Sequence, residues 1–204
     1  FSTPFDQSSV SFLEKLRNPI YKIASPELID INLIREVAHT GKPIIFSTGM
    51  GSLKEIAEAI ETVKAQERNN KIIVLHCTSS YPAPIEDANL STIPEIQKRF
   101  KVVSGLSDHT KGTEVAKLAV VLGASLIEKH FMLDRANGGV DSDFSIDPNE
   151  LKRLVKETRL ASKCIGNPAF KPTKSESIVL KNRRSLYIVR DLKKGEAIKR
   201  ENIK

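Results

Sequence analysis

The sequence predicts an α/β fold whose parallel sheet curls into a (β/α)8 barrel, incomplete here because its first two strands are missing. Three observations lead there. Short β-branched apolar runs alternate with stretches of helical period, each run closes on a cluster of Gly, Ser, Thr or His, and such clusters close every run rather than two neighbours. Runs that are apolar on both faces suit parallel strands covered on both sides. Alternation with connections this short implies right-handed crossovers. A doubly wound sheet gathers function at one crevice, whereas a barrel collects it from the ends of many strands.

Taken in order, Phe1-Ser-Thr-Pro-Phe5 reads as the tail of a strand. The next runs are Tyr21-Lys-Ile-Ala-Ser25 and Pro43-Ile-Ile-Phe-Ser47. A helix follows over Ser52–Val63, with Leu53, Ile56, Ile60 and Val63 on one stripe, Ser52 as N-cap and Glu55 completing a capping box. Lys71–Cys77, Val102–Ser107 and Ala124–His130 are the remaining strands, and Thr113–Leu122 and Pro148–Cys164 are further helices. That is about six strands, where a barrel has eight in ~250 residues. The other two are expected upstream of Phe1, which opens the chain like a cut. The barrel therefore takes residues 1–166. Residues 167–182 read as a linker, Asn167-Pro-Ala-Phe-Lys-Pro-Thr173 and a short helical stretch over Ser175–Lys181. Arg184–Arg190 alternates like a strand and Asp191–Gly195 reads as a turn, so 183–204 opens a second domain.

Composition narrows the function. The 204 residues carry 32 Lys and Arg against 25 Asp and Glu, a formal charge of +7, and 40% hydrophobic residues, which is an ordinary globular balance. No apolar run approaches the ~20 residues of a bilayer span, and no basic-then-apolar leader opens the chain, so no membrane partner is expected. The basic residues are dispersed, 5% of residues are aromatic and there is no Trp, which disfavours nucleic acid. Cys77 and Cys164 cannot build a disulfide framework, so a reducing, cytoplasmic setting is expected. An anionic small substrate remains a good explanation of the charge.

The strand ends supply the chemistry. Period-2 alternation places Ser107 with His109, and Glu128 with His130, on shared faces of neighbouring strands. Strands lie ~4.8 Å apart, so the two imidazoles are placed to grip one divalent cation and leave positions open, as a Lewis acid needs. Two satisfied histidines near a sheet end are the alternative. His39 falls at a helix C-terminus, where the dipole accounts for it, and His76 reads as packing within a strand. Lys22, Ser25 and Glu27 surround another strand end. A lysine inside a barrel mouth needs an anion, and Thr3, Ser47, Ser79 and Ser107 add hydroxyls, so the set suggests a phosphate or carboxylate cradle. Taken singly, each hydroxyl reads as a turn or cap group. Asp141 either binds a polyol or caps a turn, Tyr81 stands at a loop mouth, and Cys77 reads as a small core residue.

These segments, Tyr21-Lys-Ile-Ala-Ser25, Ser47-Thr-Gly49, His76-Cys-Thr-Ser-Ser-Tyr-Pro82, Gly105-Leu-Ser-Asp-His109 and Ile127-Glu-Lys-His-Phe131, resemble the sialic acid synthase family in order and spacing. The match runs essentially end to end, and Arg183–Tyr187 resembles the entry to that family's antifreeze-like (SAF) domain. Gly105–His109, His130–Asp134 and Asp141–Ser145 resemble the pseudaminic branch, while the neuraminate branch usually has Asn where this chain has Ser79.

The resemblance implies condensation of phosphoenolpyruvate with an N-acetylated amino sugar to a nine-carbon 2-keto acid, with release of phosphate. For the pseudaminic branch the sugar is 2,4-diacetamido-2,4,6-trideoxy-L-altrose. The sister readings are N-acetylneuraminic or legionaminic acid synthase, and the reading of a different class is a non-catalytic sugar- or metal-binding barrel fragment. Carried over, His109 and His130 hold Mn²⁺, Mg²⁺ or Co²⁺. Thr3, Lys22, Ser25, Ser47, Ser79 and Ser107 match the phosphoenolpyruvate cradle, Tyr81 and Asp141 the sugar contacts, and Glu27 a catalytic carboxylate. The family precedent is a homodimer. Because the family's first two strands and a later arginine are missing, this chain alone is expected to be inactive.

Overall fold

The computed structural model describes residues 1–66 and 70–204. It divides into two compact units, Phe1–Gly166 and Asn167–Lys204.

In the first unit five strands, β1 (Tyr21–Ile23), β2 (Ile44–Ser47), β3 (Ile72–Cys77), β4 (Val103–Asp108) and β5 (Ile127–Lys129), pair in sequence order. All pairings are parallel, and the strands curl into a half-barrel. Six helices cover it: α1 (Gln7–Lys15), α2 (Ile31–His39), α3 (Leu53–Lys64), α4 (Thr92–Phe100), α5 (Glu114–Val121) and α6 (Pro148–Ile165). The α/β class and the parallel order agree with the sequence reading. The segment Phe1–Phe5 does not form a strand, however. Ser2 makes a single parallel bridge to Tyr21, because Pro4 lacks the amide a longer ladder would use.

Alternation along the strands sorts the side chains. Tyr21, Ile23, Ile44, Phe46 and Val74 point outward and join Val10, Ile34, Val37, Ala59, Ile60 and Val63 of the helices in one buried cluster. A second cluster joins Leu106 to Ile93, Val115 and Ala119, and Ala116, Ile146 and Leu154 seat α6 against α5. The inward positions carry the buried Ile45 and Leu75 together with Lys22, Ser47 and Ser107.

Helix α3 starts as the sequence requires, with Glu55 N donating to Ser52 Oγ and Ser52 N to the Glu55 carboxylate. Its buried stripe is Ile56, Ala59, Ile60 and Val63, while Leu53 is exposed. An equivalent capping box, Asp147 with Glu150, opens α6.

The second unit is sparser. The stretch Ser175–Lys181 is not an α-helix but two 3₁₀ turns, Glu176–Ile178 and Leu180–Asn182. Arg184–Arg190 forms no full strand. Ile188 bridges Ile203, and Tyr187 exchanges two backbone hydrogen bonds with Lys204. Among the described residues no third segment of this unit joins them, and an isolated pair is marginal. Leu186, Tyr187, Ile188 and Val189 are correspondingly exposed.

Candidate active site

At the C-terminal ends of the strands lies a cavity of about 460 Å³, lined among others by Thr3, Lys22, Ser25, Ser47, Ser107, Tyr81, His109 and His130. Parallel register makes this convergence. Cys77 stands beside Ser107, and Ser107 beside Glu128, so the residues that follow, His109 and His130, leave adjacent strands at one height. Their ring centroids are 5.3 Å apart and the rings cross at 81°.

Each imidazole is held through Nδ1. The Nδ1 of His109 donates to the Thr78 carbonyl at 2.9 Å, and the Nδ1 of His130 lies 3.2 Å from the Asp141 carboxylate. With Nδ1 carrying the proton, Nε2 keeps its lone pair for a metal, the arrangement that second-sphere acceptors enforce in metal sites. Two imidazoles sharing an ion at the ~2.1 Å of a metal–nitrogen bond have centroids no more than about 6.5 Å apart, so the pair fits a cation. Among the described residues no group of three or more His, Cys, Asp or Glu is arranged to hold a metal.

Across the cavity Lys22 is buried, with Nζ 3.5 Å from Glu128 Oε1, which also accepts from Ser107 Oγ at 2.8 Å. Glu128 is thus the anion that Lys22 needs, and it binds β1, β4 and β5 together. Ser25 Oγ accepts from Gly49 N at 3.0 Å and lies 3.6 Å from Cys77 Sγ. Ser47 Oγ is buried with no hydrogen-bond partner among the described residues. A buried hydroxyl left unpaired costs about 1–3 kcal/mol, which a ligand oxygen would offset. A Cβ at Gly49 would lie 2.0 Å from Ser79 Oγ and 2.8 Å from Ser25 Oγ, so both hydroxyls would have to move to admit one.

Three residues singled out in the sequence stand outside the lining. Ser79 is a neighbour, with Oγ 4.0 Å from Cys77 Sγ. Asp141 reaches the site through His130. Glu27 sits on the 3₁₀ turn Pro26–Ile29 after β1, its Oε2 buried without a partner among the described residues.

The electrostatics pull the two histidines apart. Burial disfavours the charged form of both, but hydrogen bonds to Cys77 and the Thr78 carbonyl outweigh it for His109 and raise its pKa. For His130, burial and the neighbouring His109 charge outweigh Asp141 and lower it. Burial likewise pushes the Cys77 thiol up, yet hydrogen bonds from His109 and Ser25 hold it below its ordinary value. Tyr81 stacks 4.2 Å from His109, and Phe144 packs 4.9 Å from His130.

Sequence reasoning left Glu128 without a role and read Cys77 as a small core residue, whereas both line the cavity. Glu128 was visible in its alternation with His130. Cys77 became a site residue through its register with Ser107, which no local pattern shows. His76, read as packing, donates from Nε2 to the Ala88 carbonyl at 2.8 Å.

A family model described as the NeuB family matches residues 1–169. The chain is 43% identical over 207 residues to a pseudaminic acid synthase of Campylobacter jejuni, covering 100% of this chain and 59% of that protein. It is 41% identical over 207 residues to an N,N'-diacetyllegionaminic acid synthase of the same organism, covering 99% and 61%. Among solved structures, an N-acetylneuraminic acid synthetase of Leptospira borgpetersenii in complex with citrate superposes with a TM-score of 0.84 at 39% identity, covering 90% of this chain and 64% of that one. The chain spans about three-fifths of the length of the curated relatives it matches.

Proposed function

The chain belongs to the NeuB family, and on that premise we propose that it carries most of the active site of a transferase that condenses phosphoenolpyruvate with an N-acetylated amino sugar. The observation that carries this reading is the pair of imidazoles, 5.3 Å apart with each Nδ1 engaged, facing a buried lysine and unpartnered hydroxyl across one cavity.

In this reading Lys22 Nζ and the hydroxyls of Thr3, Ser25, Ser47 and Ser107 bind the phosphate and carboxylate of phosphoenolpyruvate, with Ser79 beside them. A divalent cation on His109 and His130, Mn²⁺, Mg²⁺ or Co²⁺, supplies Lewis-acid polarisation of the sugar aldehyde. Tyr81 gives the sugar an apolar wall and Asp141 a charged acceptor. Holding both substrates in line lets C3 of the enol phosphate form the new bond to the aldehyde carbon. Water then adds at C2, and the tetrahedral intermediate loses phosphate to leave the keto group. Glu27, whose buried Oε2 lacks a partner, is the carboxylate assigned to the water, while Glu128 holds Lys22 and Ser107 in place.

The sugar in this proposal is 2,4-diacetamido-2,4,6-trideoxy-L-altrose, supported by the motifs around His109, His130 and Asp141 and by Ser79. Identities of 43% and 41% to the pseudaminic and legionaminic relatives do not choose between them. The proposal includes a homodimer and a cytoplasmic setting. No described helix is long and apolar enough to cross a membrane. Residues 183–204 are read as the opening of an antifreeze-like domain, supported by a family match that ends at 169 while the pseudaminic relative aligns over the whole chain.

Phosphate release by the protein purified from its source, assayed with phosphoenolpyruvate and in turn the L-altrose sugar, N-acetylmannosamine and its 2,4-diacetamido analogue, tests this. Turnover of the L-altrose sugar is expected. Turnover of N-acetylmannosamine alone would move the protein to the neuraminate branch, and no phosphoenolpyruvate-dependent product with any sugar would leave a binding protein.

A further inference from the structure

Asp108 and Lys129 are register partners on β4 and β5, and each is the chain neighbour of one of the two histidines. Alternation turns both away from the cavity. Lys129 Nζ lies 2.9 Å from Asp108 Oδ2, with the side chains 3% and 1% exposed. Asp108 Oδ1 accepts from Thr110 N at 2.9 Å and from Thr110 Oγ1 at 2.7 Å, and Lys129 Nζ donates to the Thr110 carbonyl at 2.6 Å. All the polar groups of the residue after His109 are therefore tied to one ion pair that spans both strands.

As a stability device this is poor economy. Apolar side chains of similar volume are often as good as, or better than, a buried ion pair. The outward face here already has Leu106 and Ile127 in its apolar cluster, so nothing in the packing asks for charge at the next outward position. What the pair does that apolar groups cannot is fix the backbone direction of residues 109 and 110 against β5. That direction sets where the His109 ring stands relative to the His130 ring.

We infer that the Asp108–Lys129 pair, clamping Thr110, is a positioning device that sets the two imidazoles for one divalent cation. The inference rests on the reading that His109 and His130 hold that cation. Asp108, Lys129 and Thr110 are positioning residues, since they act through the histidines.

Co²⁺ titrated into the protein purified from its source and followed by its visible absorbance tests the clamp apart from any turnover. The double variant Asp108→Asn/Lys129→Met leaves no unpaired buried charge, so its fold is expected to survive. It is expected to weaken Co²⁺ about 10-fold or more, the usual effect of losing an outer-sphere partner, and to shift the absorption bands, with an unchanged far-ultraviolet circular dichroism spectrum. Ile60→Ala, in the core away from the site, is expected to lower the Tm without altering either readout. Parent-like affinity and bands in the double variant, or equal weakening by Ile60→Ala, would overturn the inference. If the double variant does not fold, Thr110→Val decides: weaker Co²⁺ binding supports the clamp, and parent affinity refutes it. His109→Ala and His130→Ala separate the two layers of the argument, because Co²⁺ binding that survives both defeats the metal reading itself and the clamp with it.

Discussion

His130 Nδ1 lies 3.2 Å from the Asp141 carboxylate, so the loop after β5 reaches the ring that the end of β5 presents to the cavity. A carboxylate behind an imidazole fixes its tautomer and raises its basicity toward a metal. Asp141→Ala is expected to weaken Mn²⁺ binding by about 10-fold or more, and Asp141→Asn, which keeps an acceptor, by less. Isothermal titration calorimetry reads both, and parent affinity in Asp141→Ala would detach the loop from the site.

Ser47 presents the opposite situation, a buried hydroxyl without a partner among the described residues. Ser47→Ala removes the unpaired group, so stability is expected to rise by about 1 kcal/mol while affinity for phosphoenolpyruvate falls. Thermal unfolding and ligand titration on the same variant check the two signs together. A loss of stability would mean that the hydroxyl already has a partner.

Gly49 separates two of the cradle serines. A Cβ at this position would meet Ser79 Oγ at 2.0 Å and Ser25 Oγ at 2.8 Å. Gly49→Ala is expected to cost about 1–3 kcal/mol through overpacking, with partial recovery in Gly49→Ala/Ser79→Gly. Urea unfolding of the two variants tests the contact, and equal stability of Gly49→Ala and the parent would contradict it.

His76 sets an acid limit on the fold. Burial lowers its pKa below the ordinary histidine value of 6.5, against the Ala88 carbonyl, which raises it. The folded state therefore binds fewer protons than the unfolded one as the pH drops below about 6.5. Its stabilisation is complete above the unfolded value and is lost as the pH falls through the folded one. The Tm of the parent is expected to fall more steeply between pH 7 and 5 than that of His76→Gln, and identical slopes would contradict this.

Much of this site was legible because strand alternation is local. Ser107 with His109, Glu128 with His130, and the β-then-α rhythm need only the sequence, and they place the imidazoles on one face. The role of Cys77 was not legible, because it depends on register between β3 and β4. The Asp108–Lys129 pair was hidden for the same reason, each charge looking like an ordinary polar residue until its neighbour strand is in place. The fate of Phe1–Phe5 and of Arg184–Arg190 turns on what pairs with them, which propensity does not report.

His109 and His130 are expected to share one cation. Titration of Mn²⁺ into the chain, followed by loss of the free-ion electron paramagnetic resonance signal, tests it directly. One ion bound per chain, with binding abolished by His109→Ala and by His130→Ala, is the predicted result. Binding of the same strength in both variants would contradict the account.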